Sequence, residues 1–351
     1  MKNTRRIFID LLSIIFVASI ISACKKEDTS ILNTNWRTIY QNNDLYLYSI
    51  KFLDNDHGFV MAESSGLHGV SDWKFILITE DGGNTWNQTT CSTNDTINQF
   101  PLYDIGIIYP ISKNVLLATG YQVHKSIDKG KTWINVSPQL VGSSIEDLYV
   151  IDSLTWVIAK GTEIYRTKNA GQTWQNVFHT DFIGALESFS FSSSAIGYIN
   201  DGVVDMDHNQ SAGLIVKTID GGQSWTILKP EPWKSNGAIL PYVVAMQFNN
   251  DLEGYLSILG DSKLFKTLDG GNTWDVINNN HYTNGLQYFI TDQIGYSSNG
   301  TTIYSTKDGG KSWNINYFNN APNSDILTWT FLDSGQGYAL TRDHRIIKKI
   351  K

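Results

Sequence analysis

Cysteine is nearly absent from this 351-residue chain, with Cys24 and Cys91 as its only two. A disulfide framework is therefore excluded, and stability must come from packing. Charge is also sparse, at 17% of residues, and arginine occurs only at 5, 6, 37, 166, 342 and 345. The balance is acidic, with a formal net charge of −7. Such a chain lacks the basic face that phosphate backbones require, so no nucleic-acid partner is expected. There is no serine nucleophile elbow, no phosphate-cradling loop and no His/Cys metal spacing, so no cofactor is called for. What the chain does have is aromatics: 11 Trp, 17 Tyr and 15 Phe. That composition suits an all-β protein with aromatic-rich strands.

The first residues read as a targeting segment. Lys2, Arg5 and Arg6 precede an apolar run from Ile7 to Ile21, interrupted by Asp10, and Ile21-Ser22-Ala23-Cys24 closes it. Small residues before a cysteine at the end of such a run resemble the lipobox of bacterial lipoproteins. The resemblance implies a signal peptide over 1–23 and a lipidated Cys24. The run is short for a spanning helix, whereas acyl chains on one residue anchor stably. Lys25, Lys26, Glu27 and Asp28 then resemble the charged tags that send some lipoproteins to the outer cell surface. The expectation is an outer-membrane lipoprotein facing the periplasm or the cell surface, with the surface favoured and a linker over 24–34. With Cys24 consumed, Cys91 has no intramolecular partner.

One eight-residue phrase occurs six times. It reads Thr79-Glu80-Asp81-Gly82-Gly83-Asn84-Thr85-Trp86 first, then returns at 126–133, 167–174, 218–225, 267–274 and 306–313. This is the Asp-box, or BNR repeat, and chains carrying it in series resemble β-propellers. Its tryptophans recur every 39 to 51 residues, the period of a four-stranded blade. A second motif, an alternating apolar run leading to Gly-aromatic, precedes each box. Examples are Phe52 with Gly58-Phe59 and Phe248 with Gly254-Tyr255. Counted by this motif there are seven units, the last beginning near Leu327 and stopping at Lys348 without an outer strand. Asn35-Trp36-Arg37-Thr38-Ile39 resembles an outer strand without its box. The fold expected over 35–351 is a single seven-bladed β-propeller with four-stranded blades, whose N-terminal strand closes the last blade.

The box residues read as structural: Asp81, Gly83 and Trp86; Asp128, Gly130 and Trp133; Asn169, Gly171 and Trp174; Asp220, Gly222 and Trp225; Asp269, Gly271 and Trp274; Asp308, Gly310 and Trp313. The carboxylate or amide suits an Asx-type turn, the glycine suits a backbone other residues resist, and the tryptophan suits burial between sheets. One turn per blade spreads the carboxylates around a perimeter and does not gather them. The longer insertions, 64–73, 87–103, 202–214, 229–241, 278–285 and 318–324, all fall on the face opposite the boxes. Loops on a rigid scaffold are where function usually sits, which nominates His68, Trp73, Trp233, His281 and Tyr282 for binding. Asp205, Asp207 and Asn209 alternate oxygens in a way a hard cation could use, although the segment departs from a calcium loop and a solvated acidic loop fits it better. His124, just ahead of a box, reads as structural.

Sialidases share the box, but this chain cannot supply their arginine triad, because Arg37, Arg166 and Arg345 fall on outer or third strands. Inverting glucanases built from such propellers set a carboxylate on each of two facing rings, and one ring is present here. From residues 35 to 351 the unit resembles the photosystem II assembly-factor family and its non-photosynthetic relatives, single seven-bladed propellers that bind other proteins. The resemblance implies a lipid-anchored, extracytoplasmic, non-catalytic scaffold recognising a protein or glycan. The alternative is a carbohydrate-active enzyme or carbohydrate-binding module.

Overall fold

Alternating apolar residues bounded by turn-forming ones dictate antiparallel strands. A computed structural model describes residues 31–32, 35–64, 74–89, 92–93, 106–181, 184–205, 210–233, 241–281, 286–319 and 321–350. Seven separate sheets form a seven-bladed propeller. Blade 1 comprises Leu45–Phe52, Gly58–Ser64, Lys74–Thr79 and Asn87–Thr89, and blade 2 comprises Ile107–Pro110, Leu116–Thr119, Val123–Ser126 and Thr132–Asn135. Blade 3 is Asp147–Val150, Trp156–Lys160, Glu163–Thr167 and Gln175–His179, and blade 4 is Ala185–Phe191, Gly197–Asp205, Gln210–Thr218 and Thr226–Ile227. Blade 5 is Val243–Phe248, Gly254–Ile258, Leu264–Thr267 and Asp275–Asn278, and blade 6 is Gln287–Phe289, Gly295–Asn299, Thr302–Thr306 and Asn314–Asn319.

Blade 7 has three strands from the C-terminus, Ile326–Phe331, Gly337–Thr341 and Arg345–Lys349. Its fourth is Trp36–Gln41, paired antiparallel with Trp36 opposite Lys349 and Gln41 opposite Arg345. The N-terminal strand thus closes the last blade, as the missing outer strand of the seventh unit suggested. Two short strands go beyond expectation. Ser92–Thr93 pairs in parallel with the outer strand of blade 2. Ile31–Leu32, expected to be linker, pairs antiparallel with Asn319 and Phe318 on the outer strand of blade 6.

Each box folds around hydroxyl and carboxylate. In blade 1 the Thr79 hydroxyl donates to Asp81 Oδ1 at 2.8 Å and accepts from Gly83 N–H at 2.8 Å. Asp81 also accepts from Thr85 N–H at 2.9 Å and from the Thr85 hydroxyl at 2.7 Å. The Thr85 hydroxyl is the largest cause that holds the Asp81 carboxyl down at about 2. Gly83 has φ 88°, a left-handed backbone that glycine adopts without strain. The variant box keeps the network through an amide: Asn169 Oδ1 accepts from Thr167 and from Thr173 N–H, while its Nδ2 donates to the Thr173 hydroxyl at 2.9 Å.

The Gly-aromatic motif locks blade to blade. In blades 4 to 7 the last phenylalanine of the first strand covers the glycine that opens the second. A Cβ on Gly295 would lie 2.7 Å from the Phe289 ring, and one on Gly254 would lie 2.8 Å from Phe248. Phe289 then stacks on Tyr255 of the preceding blade at 3.5 Å and 5°, and meets Trp313 of its own box edge-on at 5.9 Å. Phe248 repeats this with Tyr198 and Trp274, and Phe52 with Tyr338 and Trp86. In blade 7, Trp36 takes the box tryptophan's place against Phe331 at 6.0 Å.

Polar links join the inner strands as well. Partly buried Asp147 of blade 3 accepts from the Tyr109 hydroxyl of blade 2 and from Phe189 N–H of blade 4, each at 2.8 Å. Gln247 of blade 5 exchanges two hydrogen bonds with the Phe289 backbone of blade 6.

Blade 4 departs from the sequence reading. Residues 202–214, expected as a loop, belong mostly to a nine-residue hairpin pair that runs Gly197–Asp205 and Gln210–Thr218. Gly202 and Gly213 are seats for Tyr242: its ring lies against the first and its backbone against the second. The Tyr242 hydroxyl donates to Glu187, which Asn200 also contacts at 3.2 Å. Beside them Asp201 is fully buried, and neither carboxylate oxygen makes a hydrogen bond of ordinary geometry. Burial pushes this carboxyl up to about 6, opposed by Gly202 N–H and reinforced by the Glu187 charge.

Two predictions follow from this packing. Gly295→Ala should destabilise the ring by about 1–3 kcal/mol, the usual cost of overpacking, because Phe289 is held on both faces. Gly106→Ala, with open space around it, should leave the thermal unfolding midpoint unchanged, and equal midpoints for the two variants would refute the wedge. Asp201 is protonated in the fold below about pH 6 but ionises near 4 when unfolded. The stability it supports is complete below about pH 4 and is lost as pH rises through 6. Asp201→Asn cannot ionise, so its midpoint relative to wild type should rise between pH 4.5 and pH 8 in denaturation curves.

Candidate functional site

Of the five residues nominated for binding, two lie within the described structure, and neither stands free at the surface. His281 is 3% exposed, packs on Trp313 at 4.7 Å and shares a hydrogen bond with Gln287 at 3.1 Å. Burial lowers its pKa to about 4, so the ring is neutral at ordinary pH. Trp233 is partly buried against the core between blades 4 and 5, its ring 5.2 Å from Phe265. Both rings fill gaps behind neighbouring blades, which corrects their reading as exposed anchors. His68, Trp73 and Tyr282 lie outside the described residues, as do Cys24, Asp207 and Asn209. Asp205 ends the second strand of blade 4. Among the described residues no three His, Cys, Asp or Glu side chains gather as a metal site. His124 is buried and its pKa is lowered by burial to about 4. Arg166 donates to the Gly221 carbonyl of the next blade and Arg345 pairs with Asp343, so both serve the frame.

Among the described residues, the face opposite the boxes carries an open groove lined by none of these nominated residues. Its volume is about 670 Å³, and it lies where blades 6, 7 and 1 meet. Tyr46 and Tyr48 enter from the innermost strand of blade 1, and Leu327 from that of blade 7. Arg342, Asp343 and His344 form the turn between the second and third strands of blade 7, and Asn43 lies in the turn that follows the closing strand. Pro322 and Asn323 come from the connection out of blade 6.

The groove is built to remain open. Tyr46 is 49% exposed and Tyr48 44%, unusual for large rings on innermost strands. Tyr46 meets the His344 ring edge-on at 5.2 Å, and Lys74 Nζ sits 5.3 Å above the Tyr48 ring. These contacts orient the two half-exposed rings. Arg342, 58% exposed in its side chain, is held by Asp325 at 3.1 Å and still presents further donors. His344 has φ 66°, a left-handed turn that fixes where the ring projects. Aromatic faces beside a guanidinium and amide side chains make a surface suited to polypeptide or sugar recognition. Among the described residues the carboxylates beside it are paired: Asp343 is bound to Arg345, and Asp325 to Arg342.

A smaller cavity of about 330 Å³ lies on the box face between blades 7 and 1. Its floor is used structurally. Lys348 Nζ and the Tyr338 hydroxyl both donate to the Gly82 carbonyl of the neighbouring box, at 2.7 and 3.3 Å. Lys217 and Tyr198 of blade 4 do the same to Gly270 of blade 5, so this is a repeated staple between blades.

Comparison with known proteins agrees with this architecture. The family model described as photosynthesis system II assembly factor YCF48 matches residues 29–200. A photosystem II assembly lipoprotein Ycf48 of Prochlorococcus marinus is 24% identical over 332 residues, covering 90% of this chain and 88% of that one. Among solved structures, YCF48 bound to D1 peptide superposes with a TM-score of 0.65 at 17% identity, covering 91% of this chain and 97% of that one. YCF48 from Cyanidioschyzon merolae gives 0.63 at 18% identity, with coverages of 90% and 98%. A glycoside hydrolase, the GH74 enzyme of Niastella koreensis, shares the fold at TM-score 0.59 and 14% identity, and half of that chain is covered. With seven blades, six boxes and these relatives, the chain is an Asp-box (BNR) repeat β-propeller that resembles the photosystem II assembly-factor family.

Proposed function

We propose that this protein is a non-catalytic propeller that binds a polypeptide segment in the groove between blades 6, 7 and 1. The observation that carries the reading is the pair of half-exposed tyrosines, Tyr46 and Tyr48, on strands whose other large side chains are buried. The similar structure of YCF48 bound to D1 peptide supports polypeptide binding as a use of this ring. Lipidation of Cys24 would tether the propeller to the outer membrane, with the cell surface the favoured side, and relatives named as lipoproteins support the anchor. A glycan is the alternative occupant, because exposed tyrosine faces also stack on sugars.

A photoreactive phenylalanine derivative at position 46, in cells expressing the full chain, should cross-link to a polypeptide, while the same group at Lys307 on the box face should not. Tyr46→Ala should weaken binding to the captured partner by roughly 30-fold, the scale of an interface hot spot of about 2 kcal/mol. Glycosidase turnover by the mature protein, abolished by one carboxylate substitution, would sink the non-catalytic reading.

A further inference from the structure

The short strand Ile31–Leu32 fixes where the chain enters the ring. The outer strand of blade 6 runs from its box at 306–313 toward the opposite face and ends at Asn319. Ile31 pairs with Asn319, and Leu32 with Phe318 one residue nearer the box. Residue 31 therefore stands at the rim of the face opposite the boxes. By residue 36 the chain has crossed to the box face, where Trp36 pairs with Lys349 at the end of the third strand of blade 7. Asn319 also begins the connection that carries Pro322 and Asn323 into the groove. The entry point and the groove thus share one segment of chain.

Six residues separate Cys24 from Ile31, and seven steps of at most about 3.3–3.6 Å each limit the tether to about 25 Å. From this we infer that the propeller is held with its box face away from the lipid and its groove face toward it. This rests on the lipid-anchor and groove readings above. The lining then sets tyrosine faces and Leu327 for apolar side chains, and Arg342, Asn43 and Asn323 for backbone carbonyls or carboxylates, on the side of the ring that faces the lipid. The orientation depends on a short tether, because a flexible one of about 20 residues would let either face approach the bilayer.

The test uses full-length lipidated protein, with Cys91→Ser to remove the other thiol, reconstituted in vesicles of phosphatidylethanolamine and phosphatidylglycerol that carry an acceptor dye on the headgroups. A donor on Asn43→Cys, exposed on the groove face, should be quenched at least two-fold more than one on Lys307→Cys, exposed on the box face. Inserting 20 Gly/Ser residues after Ser30 should erase the difference. Equal quenching with the native tether, or stronger quenching at 307, overturns the orientation. Protein that fails to float with the vesicles overturns the anchor reading instead, and the orientation with it.

Discussion

Everything in this ring depends on a phenylalanine ring clamped on three sides. Phe289 lies on a glycine, against a tyrosine from the blade before and a tryptophan from its own box. The glycine is required because any Cβ would occupy the ring's place. The tyrosine transmits the contact to the next blade, and the tryptophan brings the outer strand into the same cluster. A blade alone is a small twisted sheet with little to bury on either face. Five such clamps, in blades 1 and 4 to 7, tie neighbouring sheets together, which helps a chain with no disulfide among its described residues make one continuous structure.

This also explains how much could be read from sequence. The clamp uses the same residue types at the same offsets in successive blades, so periodicity exposes it. Trp36 was legible because it repeats the outer-strand pattern even without Thr79 or Asp81 equivalents before it. The groove has no such periodicity. Tyr46, Arg342 and Asn323 come from three unlike segments that meet only because the ring closes, and no spacing rule connects residue 46 with residue 342. His281 and Trp233 misled for the converse reason: aromatic residues in connections often fill the wedge behind a neighbouring blade, and burial cannot be read from loop composition. Gly202 and Gly213 lie in the segment expected as a loop, yet they interrupt nothing. They make room for Tyr242 within a long hairpin.

The two faces differ in what their polar groups are doing. On the box face the Asp81 carboxylate, the Thr79 hydroxyl and the Gly82 carbonyl are already committed to their own turn or to the neighbouring blade. A ligand there would have to compete with the bonds that hold the ring together. On the opposite face the connections vary in length and sequence, and their side chains are oriented by contacts with each other. Recognition can change there by altering loops without loosening the clamps.

The closing strand has one more consequence. Trp36 and its partner Lys349 lie more than three hundred residues apart. Until the strands of blade 7 arrive, the strand that carries Trp36 has no partner, and the loop to be closed is more than three hundred residues long. Blade 7 is therefore the last to assemble, and the nascent protein spends its synthesis with one aromatic edge open. That edge is where a holdase chaperone has its longest opportunity to bind.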